Sequence, residues 1–358
     1  MLLVDFGEST CKFALVKEYE KSLEVQEWGI EDIRSLEYAA EHILERMKGV
    51  HGDMEPVFVS LPATLWRSRV LYEGIERKNA ALRIDSAEKE TILEGLFART
   101  RSSLKEQVQD SSGILAEDVS IQKLQILKYT IDGYHVQDIL GFPGTHLDVQ
   151  IMAVFALVKH LPIVDNIIQR FSSISSPRIV HLAEALEGFS QTRPQDAIYI
   201  DMGDAFTRII ATQQKRVAFV DEVSRGGRDF TLYLQETLSL GENTAKDFKE
   251  RYASGDFSFP LREAVKEGFL AIAEDLARLV CKSLRSTRVS LPSSIFLFGE
   301  ASKLPEIEKA FLGNIFEGLP FHEKPRISFL LPKDLWTLEF PGKTNPVFTP
   351  LFFLPYAP

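Results

Sequence analysis

The chain has 358 residues, of which 45% are hydrophobic and 26% are charged, so it can form a folded core and is not expected to be disordered. Its 41 basic and 51 acidic residues give a net charge of −10, which argues against a general nucleic-acid-binding protein. The two cysteines, Cys11 and Cys281, are too few for a disulfide framework or a cysteine-rich metal site, and they favour a reducing, cytoplasmic compartment.

The N-terminal segment has the pattern of an α/β unit. Met1–Val4 and Cys11–Val16 are short apolar runs typical of buried strands, and a polar turn joins them. Apolar residues at helical spacing predict a helix over Ile30–Val50, and Pro56–Pro62 predicts another strand, bounded by prolines. Strand, turn, strand, helix and strand in this order are typical of α/β folds.

A more polar block follows and predicts a small α+β insertion. Ser86–Glu106 has the pattern of a helix with one charged face. The block then contains three strand-like runs, with a hairpin turn predicted at Asp132-Gly133 inside the second: Val119–Leu127, Tyr129–Val136 and His146–Phe155.

The N-terminal motif recurs in the second half of the chain. Ala197–Gly203 and Phe206–Ala211 repeat the apolar strand, the Asp-x-Gly turn and the second strand, about 196 residues further on. This spacing predicts two similar domains that face each other. The remaining pattern predicts strands at Arg216–Val223 and Ser294–Phe298, and helices at Glu242–Arg251 and Leu261–Val289.

The two Asp-x-Gly turns suit the binding of phosphate groups. In Asp5–Lys12 and Asp201–Thr207, a tight turn with glycine and small residues directs backbone N–H groups inward, where they can bind phosphate oxygens. Lys12 adds a positive charge, and Asp5 and Asp201 can hold a hydrated Mg²⁺. Each turn alone also fits an ordinary β-turn with solvated polar residues, whereas the pair predicts two jaws around a nucleotide–metal complex.

A third segment predicts the base-binding part of the site. Gly299 follows the strand Ser294–Phe298 and precedes small residues, so a flat group such as adenine can approach the backbone closely. The alternative is a strand-to-helix corner at which glycine only permits the bend.

These motifs, in this order, resemble the two phosphate motifs and the adenosine motif of the superfamily of actin, the heat-shock chaperone ATPases and the sugar kinases. Within it the chain is most similar to the FtsA/PilM group, with cell-division protein FtsA first and pilus-assembly protein PilM second. Three further segments carry the likeness: Gly226-Gly227 followed by Thr231, the stretch from Thr130 to Leu147, and Asn345-Pro346.

The resemblance implies an α/β fold in which duplicated actin-like (ribonuclease H-like) domains surround a nucleotide cleft, with an inserted α+β subdomain of the SHS2-like kind found in FtsA. The implied divisions are subdomain 1A at residues 1–55 and 151–192, the inserted subdomain 1C at 56–150, subdomain 2A at 193–235 and 290–358, and a helical subdomain 2B at 236–289.

The resemblance also implies the ligand, ATP with Mg²⁺, and the residues that bind it. Asp5 and Asp201 are expected to reach the metal through water. Glu184 and Glu187 can orient an attacking water or form a solvated helix face, so no catalytic residue is assigned. The implied nucleotide-binding residues are Asp5, Gly7, Ser9, Thr10, Lys12, Asp201, Gly203, Thr207, Gly226, Gly227, Lys249, Gly299 and Ser302.

The sequence departs from the family pattern at three positions that bear on the nucleotide. Glu300 stands where a second glycine is usual, and Lys246 replaces a glutamate in the helix that contacts the ribose. Asp204 adds a carboxylate beside the second turn, where it repels a phosphate unless a cation offsets it. Two interpretations remain: altered ATP binding, or a nucleotide fold that has lost hydrolysis, with or without binding.

The implied function is that of a cytoplasmic, ATP-binding scaffold of bacterial cell division, at most a weak ATPase, which reaches the inner face of the cell membrane only through partners. Its implied partner is a tubulin-like division protein, with self-association as a further expectation and no nucleic acid. The PilM likeness implies instead a type IV pilus assembly scaffold that binds the cytoplasmic tail of an inner-membrane pilus protein. An interaction module with a vestigial cleft, and a small-molecule kinase without a convincing catalytic aspartate, remain as alternatives.

Overall fold

A computed structural model of the protein describes residues 1–20, 22–33, 35–48, 54–193, 195–256, 258–287, 290–312, 314–321 and 323–358. The strands are β1 (Leu2–Phe6), β2 (Thr10–Tyr19), β3 (Ser22–Asp32), β4 (Val57–Ser60), β5 (Arg67–Glu76), β6 (Val119–Ile131), β7 (Tyr134–Val136), β8 (His146–Leu157), β9 (Arg178–Ile179), β10 (Ala197–Met202), β11 (Thr207–Gln213), β12 (Arg216–Val223), β13 (Ser294–Phe298), β14 (Arg326–Phe329) and β15 (Thr337–Leu338). The helices are α1 (Leu36–Met47), α2 (Ser86–Ser112), α3 (Leu161–Phe171), α4 (Leu182–Thr192), α5 (Gly227–Leu238), α6 (Glu242–Ser254), α7 (Phe259–Arg285), α8 (Pro305–Leu312), α9 (Pro332–Leu335) and α10 (Thr349–Phe353).

The chain forms two compact units. The first combines Met1–Thr64 with Asn166–Pro358, and the second is Leu65–Asp165. The second unit begins and ends later than the insertion expected at residues 56–150, and β4, which lies inside that range, pairs with β1 in the first unit. The four-part subdomain division remains a prediction.

The first unit contains two sheets that share the same order over five strands, and β15 adds a sixth strand to one of them. One is β15-β3-β2-β1-β4-β9 and the other is β12-β11-β10-β13-β14. In each, a central strand pairs antiparallel with the strand that follows it and parallel with a later strand: β1 with β2 and β4, and β10 with β11 and β13. The duplication predicted from the repeated motif is therefore confirmed at the level of sheet topology.

The central strands β1 and β10 are buried at every position, as expected for strands covered on both faces. Ile198, Ile200 and Met202 of β10 belong to one core cluster with side chains from α5, α7 and α8. Because side chains alternate along a strand, Asp201 projects from the face opposite to that core. The packing of the strand thus directs this carboxylate away from the helices.

The predicted helix over Ile30–Val50 begins too early. Residues up to Asp32 complete β3, which pairs antiparallel with β2, and this pairing overrides the helical spacing of the apolar residues. Helix α1 then starts after Ser35, whose hydroxyl accepts a hydrogen bond from the Tyr38 N–H at 3.1 Å. The predicted end at Val50 lies outside the described residues.

The second unit consists of the antiparallel sheet β5-β8-β6-β7 and helix α2. Leu96 and Leu104 of α2 are buried in clusters that include Ile151 and Phe155 of β8. The predicted turn at Asp132-Gly133 is confirmed, with φ angles of 48° and 85°. The first two predicted strands were divided wrongly, because β6 runs without interruption to this turn.

Among the described residues, no helix has both the length and the apolar character needed to cross a membrane. Whether the second unit is of the SHS2-like kind remains a prediction.

Candidate functional site

Two equivalent hairpins, β1–β2 and β10–β11, carry the two Asp-x-Gly motifs. In the strand register Asp5 lies opposite Lys12, and Asp201 lies opposite Arg208. The Nζ atom of Lys12 is 3.2 Å from Asp5 Oδ2, and Nη1 of Arg208 is 3.2 Å from Asp201 Oδ2. All four residues are buried, so the duplication includes one buried ion pair at the same place in each hairpin.

Both hairpins turn in the same way. The N–H of Gly7 donates to the carbonyl oxygen of Thr10 at 2.9 Å, and that of Gly203 donates to the carbonyl oxygen of Phe206 at 3.0 Å. A Cβ atom at either glycine would lie 2.9 Å from the same carbonyl oxygen, which is closer than side chains normally allow. The two glycines are therefore required by the tightness of the turns.

The charges of the two hairpins act on one another. Burial raises the pKa of Asp201, which Arg208 acts to lower and the negative charge of Asp5 raises further. For Lys12, burial acts to lower the pKa, but Asp5, Glu300 and Asp201 outweigh it, so the pKa is raised. The ends of β1 and β10 line one small cavity. That they form two jaws around a nucleotide remains a prediction.

Arg208 was missed by the sequence analysis, although its place opposite Asp201 repeats the place of Lys12. Its Nη2 donates to the carbonyl oxygen of Leu61 at 3.1 Å, and its Nε lies 4.0 Å from Glu222 Oε1. Nε2 of His181 is 3.9 Å from the same Glu222 oxygen. This buried arrangement fixes the guanidinium beside Asp201, and comparison of equivalent positions in the two hairpins would have revealed it.

His181 has a structural place at the start of α4. Its Nδ1 accepts a hydrogen bond from the Ala183 N–H at 3.1 Å, and its own N–H donates to Glu184 Oε2 at 2.9 Å. Burial lowers the pKa of His181, against the opposing effect of Glu222. The neutral imidazole therefore serves as part of a capping box for the helix.

Glu184 and Glu187 do not form a solvated helix face, because both are buried. Oε1 of Glu187 accepts from Nη1 of Arg216 at 2.7 Å, and its Oε2 accepts from the Val217 N–H at 2.6 Å. Together with the contact of Glu184 to His181, these bonds give both glutamates a structural role. The solvated-face alternative was wrong because the pattern on α4 does not show that β12 covers it.

The Gly226-Gly227 segment supports the second turn from behind. The N–H of Gly227 donates to the carbonyl oxygen of Gly203 at 2.9 Å. A Cβ atom at Gly226 would lie 2.5 Å from the same oxygen, so the close approach requires glycine. The hydroxyl of Thr207 donates to the carbonyl oxygen of Arg225 at 2.9 Å and ties β11 to this segment.

Two cations offset the additional carboxylate at Asp204. Nη2 of Arg228 lies 3.0 Å from Asp204 Oδ2, and Nζ of Lys249 lies 4.0 Å from Oδ1. Lys249 also donates to the carbonyl oxygen of Gly227 at 3.2 Å and lies 3.9 Å from Glu300 Oε1. The charge of Asp204 is therefore balanced by side chains of α5 and α6.

Gly299 makes a close approach to the second hairpin. Its φ is +91°, and a Cβ atom would lie 2.6 Å from Asp201 Oδ1, so only glycine fits. The hydroxyl of Ser302 donates to the carbonyl oxygen of Gly299 at 2.7 Å, and the Gly299 N–H donates to the carbonyl oxygen of Pro346 at 3.1 Å. The Gly299 corner thus holds the end of β13 against Asp201.

Two adjoining cavities lie in this region of the first unit. A cleft of about 1010 Å³ is lined by predicted site residues Thr10, Lys249 and Ser302. A much smaller cavity of about 30 Å³ lies between the two turns and shares Thr10 and Glu300 with the cleft. The predicted residues that line this small cavity are Asp5, Gly7, Ser9, Thr10, Lys12, Asp201, Gly203 and Gly299.

Glu8, which the sequence analysis did not single out, reaches from the first turn to the second. Its Oε2 lies 3.7 Å from the point where a Cβ atom of Gly203 would be. Its Oε1 is buried and has no hydrogen-bond partner among the described residues. Burial raises the pKa of Glu8, which Arg208 acts to lower and Asp204 raises further.

The two cavities differ in how well they fit ATP with Mg²⁺. The large cleft has room for an adenosine moiety, and the Gly299 corner lets a flat group approach its end. The small cavity has room for two or three water molecules at about 10–15 Å³ for each, and Glu8 adds a further carboxylate to it. The small cavity is therefore too small, in this structure, for a triphosphate with its metal. In the described part of the chain, no cluster of three metal-ligating side chains occurs.

The duplicated sheets, the paired turns and the intervening cleft define an actin-like fold. No protein-family model matches the sequence, and no curated protein is detectably similar to it. Among solved structures, the chain is similar to one in a PilM–PilN type IV pilus biogenesis complex, with a TM-score of 0.67 and 13% sequence identity over 99% of this chain and 96% of that one.

Two further structures are less similar. The ethanolamine utilization protein EutJ from Carboxydothermus hydrogenoformans has a TM-score of 0.48 and 10% identity, over 99% of this chain and 89% of that one. Component A of (R)-2-hydroxyglutaryl-CoA dehydratase from Acidaminococcus fermentans has a TM-score of 0.45 and 10% identity, over 99% and 96%. The likeness to the first structure, at a TM-score of 0.67 and 13% identity, shows the fold alone, and roles for individual residues rest on the geometry above.

Proposed function

We propose that this protein is an actin-like assembly scaffold of the PilM kind, which binds an adenine nucleotide in its cleft and docks a membrane-protein partner. The observation that carries the proposal is the similarity over nearly the full length of both chains to the structure from the PilM–PilN complex. The partner proposed here is the cytoplasmic tail of an inner-membrane pilus protein. The protein itself is proposed to be cytoplasmic and to reach the membrane through that partner.

The nucleotide is proposed to lie with its adenosine part in the large cleft and its phosphates towards the two turns. The backbone N–H groups beside Gly7 and Gly203, together with Ser9 and Lys12, are the groups proposed to contact phosphate oxygens. ATP with Mg²⁺ is the ligand expected from the sequence, and the metal would be held by Asp5 and Asp201 through water. Binding of this group requires the space between the turns to widen.

Slow or absent hydrolysis follows from how the charges are arranged. Phosphoryl transfer depends on cations that neutralise the developing charge and on a positioned water. Lys12 and Arg208 are already engaged by Asp5 and Asp201. Glu184 and Glu187 are engaged by backbone and side-chain donors, so neither is placed to orient a water.

Docking is tested with labelled peptides. Peptides that cover the cytoplasmic tails of membrane proteins encoded beside the gene are titrated with the full chain, and peptides of scrambled order serve as controls. Saturable binding of one tail in the micromolar range, at about −8 kcal/mol, supports the pilus-type scaffold. Failure of every tail to bind, together with co-sedimentation with a tubulin-like division protein, would overturn it in favour of the cell-division role.

A second candidate is an interaction module whose cleft is vestigial. The crowding of Glu8, Asp201 and Asp204 around the small cavity favours it, because these carboxylates take the space that phosphates need. It shares the docking result with the first proposal and differs in predicting no nucleotide binding at millimolar concentration.

A further inference from the structure

Glu8 has an equivalent in the second hairpin, and the two carboxylates have opposite surroundings. Glu8 follows Gly7 just as Asp204 follows Gly203. Asp204 is paired with Arg228 at 3.0 Å and has Lys249 at 4.0 Å. The Oε1 of Glu8 has no hydrogen-bond partner among the described residues, and its Oε2 lies beside the opposite turn.

The path of a nucleotide through the two cavities determines what meets Glu8. Only the large cleft accommodates a base and ribose, and it joins the small cavity at Thr10 and Glu300. The phosphates must therefore extend from this junction towards the turns, and the last phosphate of the chain goes deepest. At the turns, Oε2 of Glu8 lies 3.7 Å from the point where a Cβ atom of Gly203 would be.

We infer that Glu8 takes the place of the terminal phosphate, so that the cleft selects a nucleoside diphosphate over a triphosphate. This inference rests on the proposed function and narrows the ligand that the function names. The carboxylate already engages the Glu8 N–H and interacts electrostatically with Arg208, two donors that a third phosphate would need. It also adds repulsion between like charges at short range, which is strong where little water enters.

The inference makes Glu8 a specificity-determining residue. On this inference a diphosphate contacts the donors of the turns without displacing the Glu8 carboxylate from between them. A triphosphate must displace the carboxylate and also approach Asp201 and Asp204, both buried beside it.

Isothermal titration calorimetry of the full chain with ADP and with ATP, each with magnesium chloride, tests the inference. The wild type is expected to bind ADP about tenfold or more tightly than ATP, a ratio that corresponds to about 1.4 kcal/mol. Glu8→Ser, which removes the charge and most of the bulk, is expected to bring the two affinities within about threefold by strengthening ATP binding. Glu8→Gln, which keeps the size and removes the charge, should give an intermediate ratio and stands in if the serine variant does not fold.

Glu94→Gln, at an exposed carboxylate of α2, is the charge control. It is expected to leave the ratio of the two affinities unchanged, because no residue of α2 lines either cavity. Equal affinities for ADP and ATP in the wild type, or a preference for ADP that survives in Glu8→Ser, would overturn the inference and leave the nucleotide cleft standing. If neither ADP nor ATP binds to the wild type or to Glu8→Ser, both the inference and the proposed nucleotide ligand are overturned. The scaffold role is tested separately, by the peptide-docking experiment.

Discussion

The two hairpins of the first unit share a backbone and differ in how their charges are satisfied. Each has a carboxylate at the end of the central strand, a glycine turn and a cation seven residues after the carboxylate, and each pair spans 3.2 Å. In the second hairpin, Arg208 also contacts the Leu61 carbonyl and lies near Glu222. In the first, the Lys12 ammonium donates a hydrogen bond to Asp5 Oδ2.

The two copies of the motif therefore differ in role: the second mainly stabilises the fold, and the first carries the residue proposed to select the ligand. The second hairpin is tied into the core by buried polar contacts and its turn carboxylate is balanced by Arg228. The first hairpin carries Glu8, which is held between the turns with a buried, unpartnered oxygen. We therefore expect substitutions in the second hairpin to change mainly stability, and substitutions at Glu8 to change mainly ligand preference.

The largest expected effect is on Arg208. Arg208→Met should lower the free energy of unfolding by about 3–5 kcal/mol, because it leaves the buried Asp201 and Glu222 without their cation. Lys12→Met should cost at least about 1 kcal/mol less, because the ammonium makes fewer contacts. Urea denaturation of both variants measures the difference, and equal losses would show that the hairpins are energetically equivalent.

A smaller loss is expected at the loop behind the second turn. Arg228→Ala should cost about 1 kcal/mol, because it leaves Asp204 with only the more distant Lys249. Arg225→Ala is the control, since Arg225 pairs with the half-exposed Asp275 and with Asp229. A greater loss for Arg225→Ala than for Arg228→Ala in the same denaturation experiment would contradict the role given to Asp204.

Glu8→Gln should stabilise the protein at neutral pH by about 1 kcal/mol, which raises the melting temperature by a few degrees. The pKa of Glu8 is raised in the folded protein, so folding favours the protonated carboxyl over the carboxylate. The protonated carboxyl stabilises the folded state at low pH, and this stabilisation is lost as the pH rises through the raised pKa. The advantage of glutamine should therefore shrink as the pH is lowered to acidic values. Melting curves across this range give the test, and a gain that grows towards acid pH would have the wrong sign.

The smallest effect is expected at Thr207, which has Cys11 as its equivalent in the first hairpin. Thr207→Val should cost about 0.5–1 kcal/mol, because the buried hydroxyl no longer donates to the Arg225 carbonyl oxygen. Thr207→Ser keeps this hydroxyl and should retain that contribution. If both variants lose the same amount of stability, packing of the methyl group and not the hydrogen bond is responsible.

Much of the first unit could be predicted from the sequence because its central strands are apolar throughout and the Asp-x-Gly turn is repeated. The run Leu2–Val4 and its counterpart Ala197–Ile200 show both the strands and their duplication. The start of α1 could not be predicted, because Ile30 satisfies a helical period and also pairs with Lys12 across two strands. Strand pairing between distant segments is not visible in local periodicity.

The candidate site was predicted less completely than the fold. Glycine is needed at Gly7 and Gly203 by the turns themselves, so the sequence motif identifies them directly. The position of Glu8 depends on how the two hairpins face each other, which local sequence does not encode. The pairing of Arg208 with Asp201, within one hairpin, could have been predicted from the repeat. The burial of Glu187 was also hidden, because it depends on contact with β12.

The central claim is that the two turns face one nucleotide-binding cleft, and a thermal-shift titration with adenine nucleotides and magnesium tests it most directly. The account predicts a rise of several degrees in the melting temperature of the wild type at millimolar nucleotide, as about 2–3 kcal/mol of ligand stabilisation gives. The rise should disappear in both Asp5→Asn and Asp201→Asn, and persist in Glu94→Gln on the exposed side of α2. No rise with ADP or ATP in the wild type, or an undiminished rise in both aspartate variants, would contradict it.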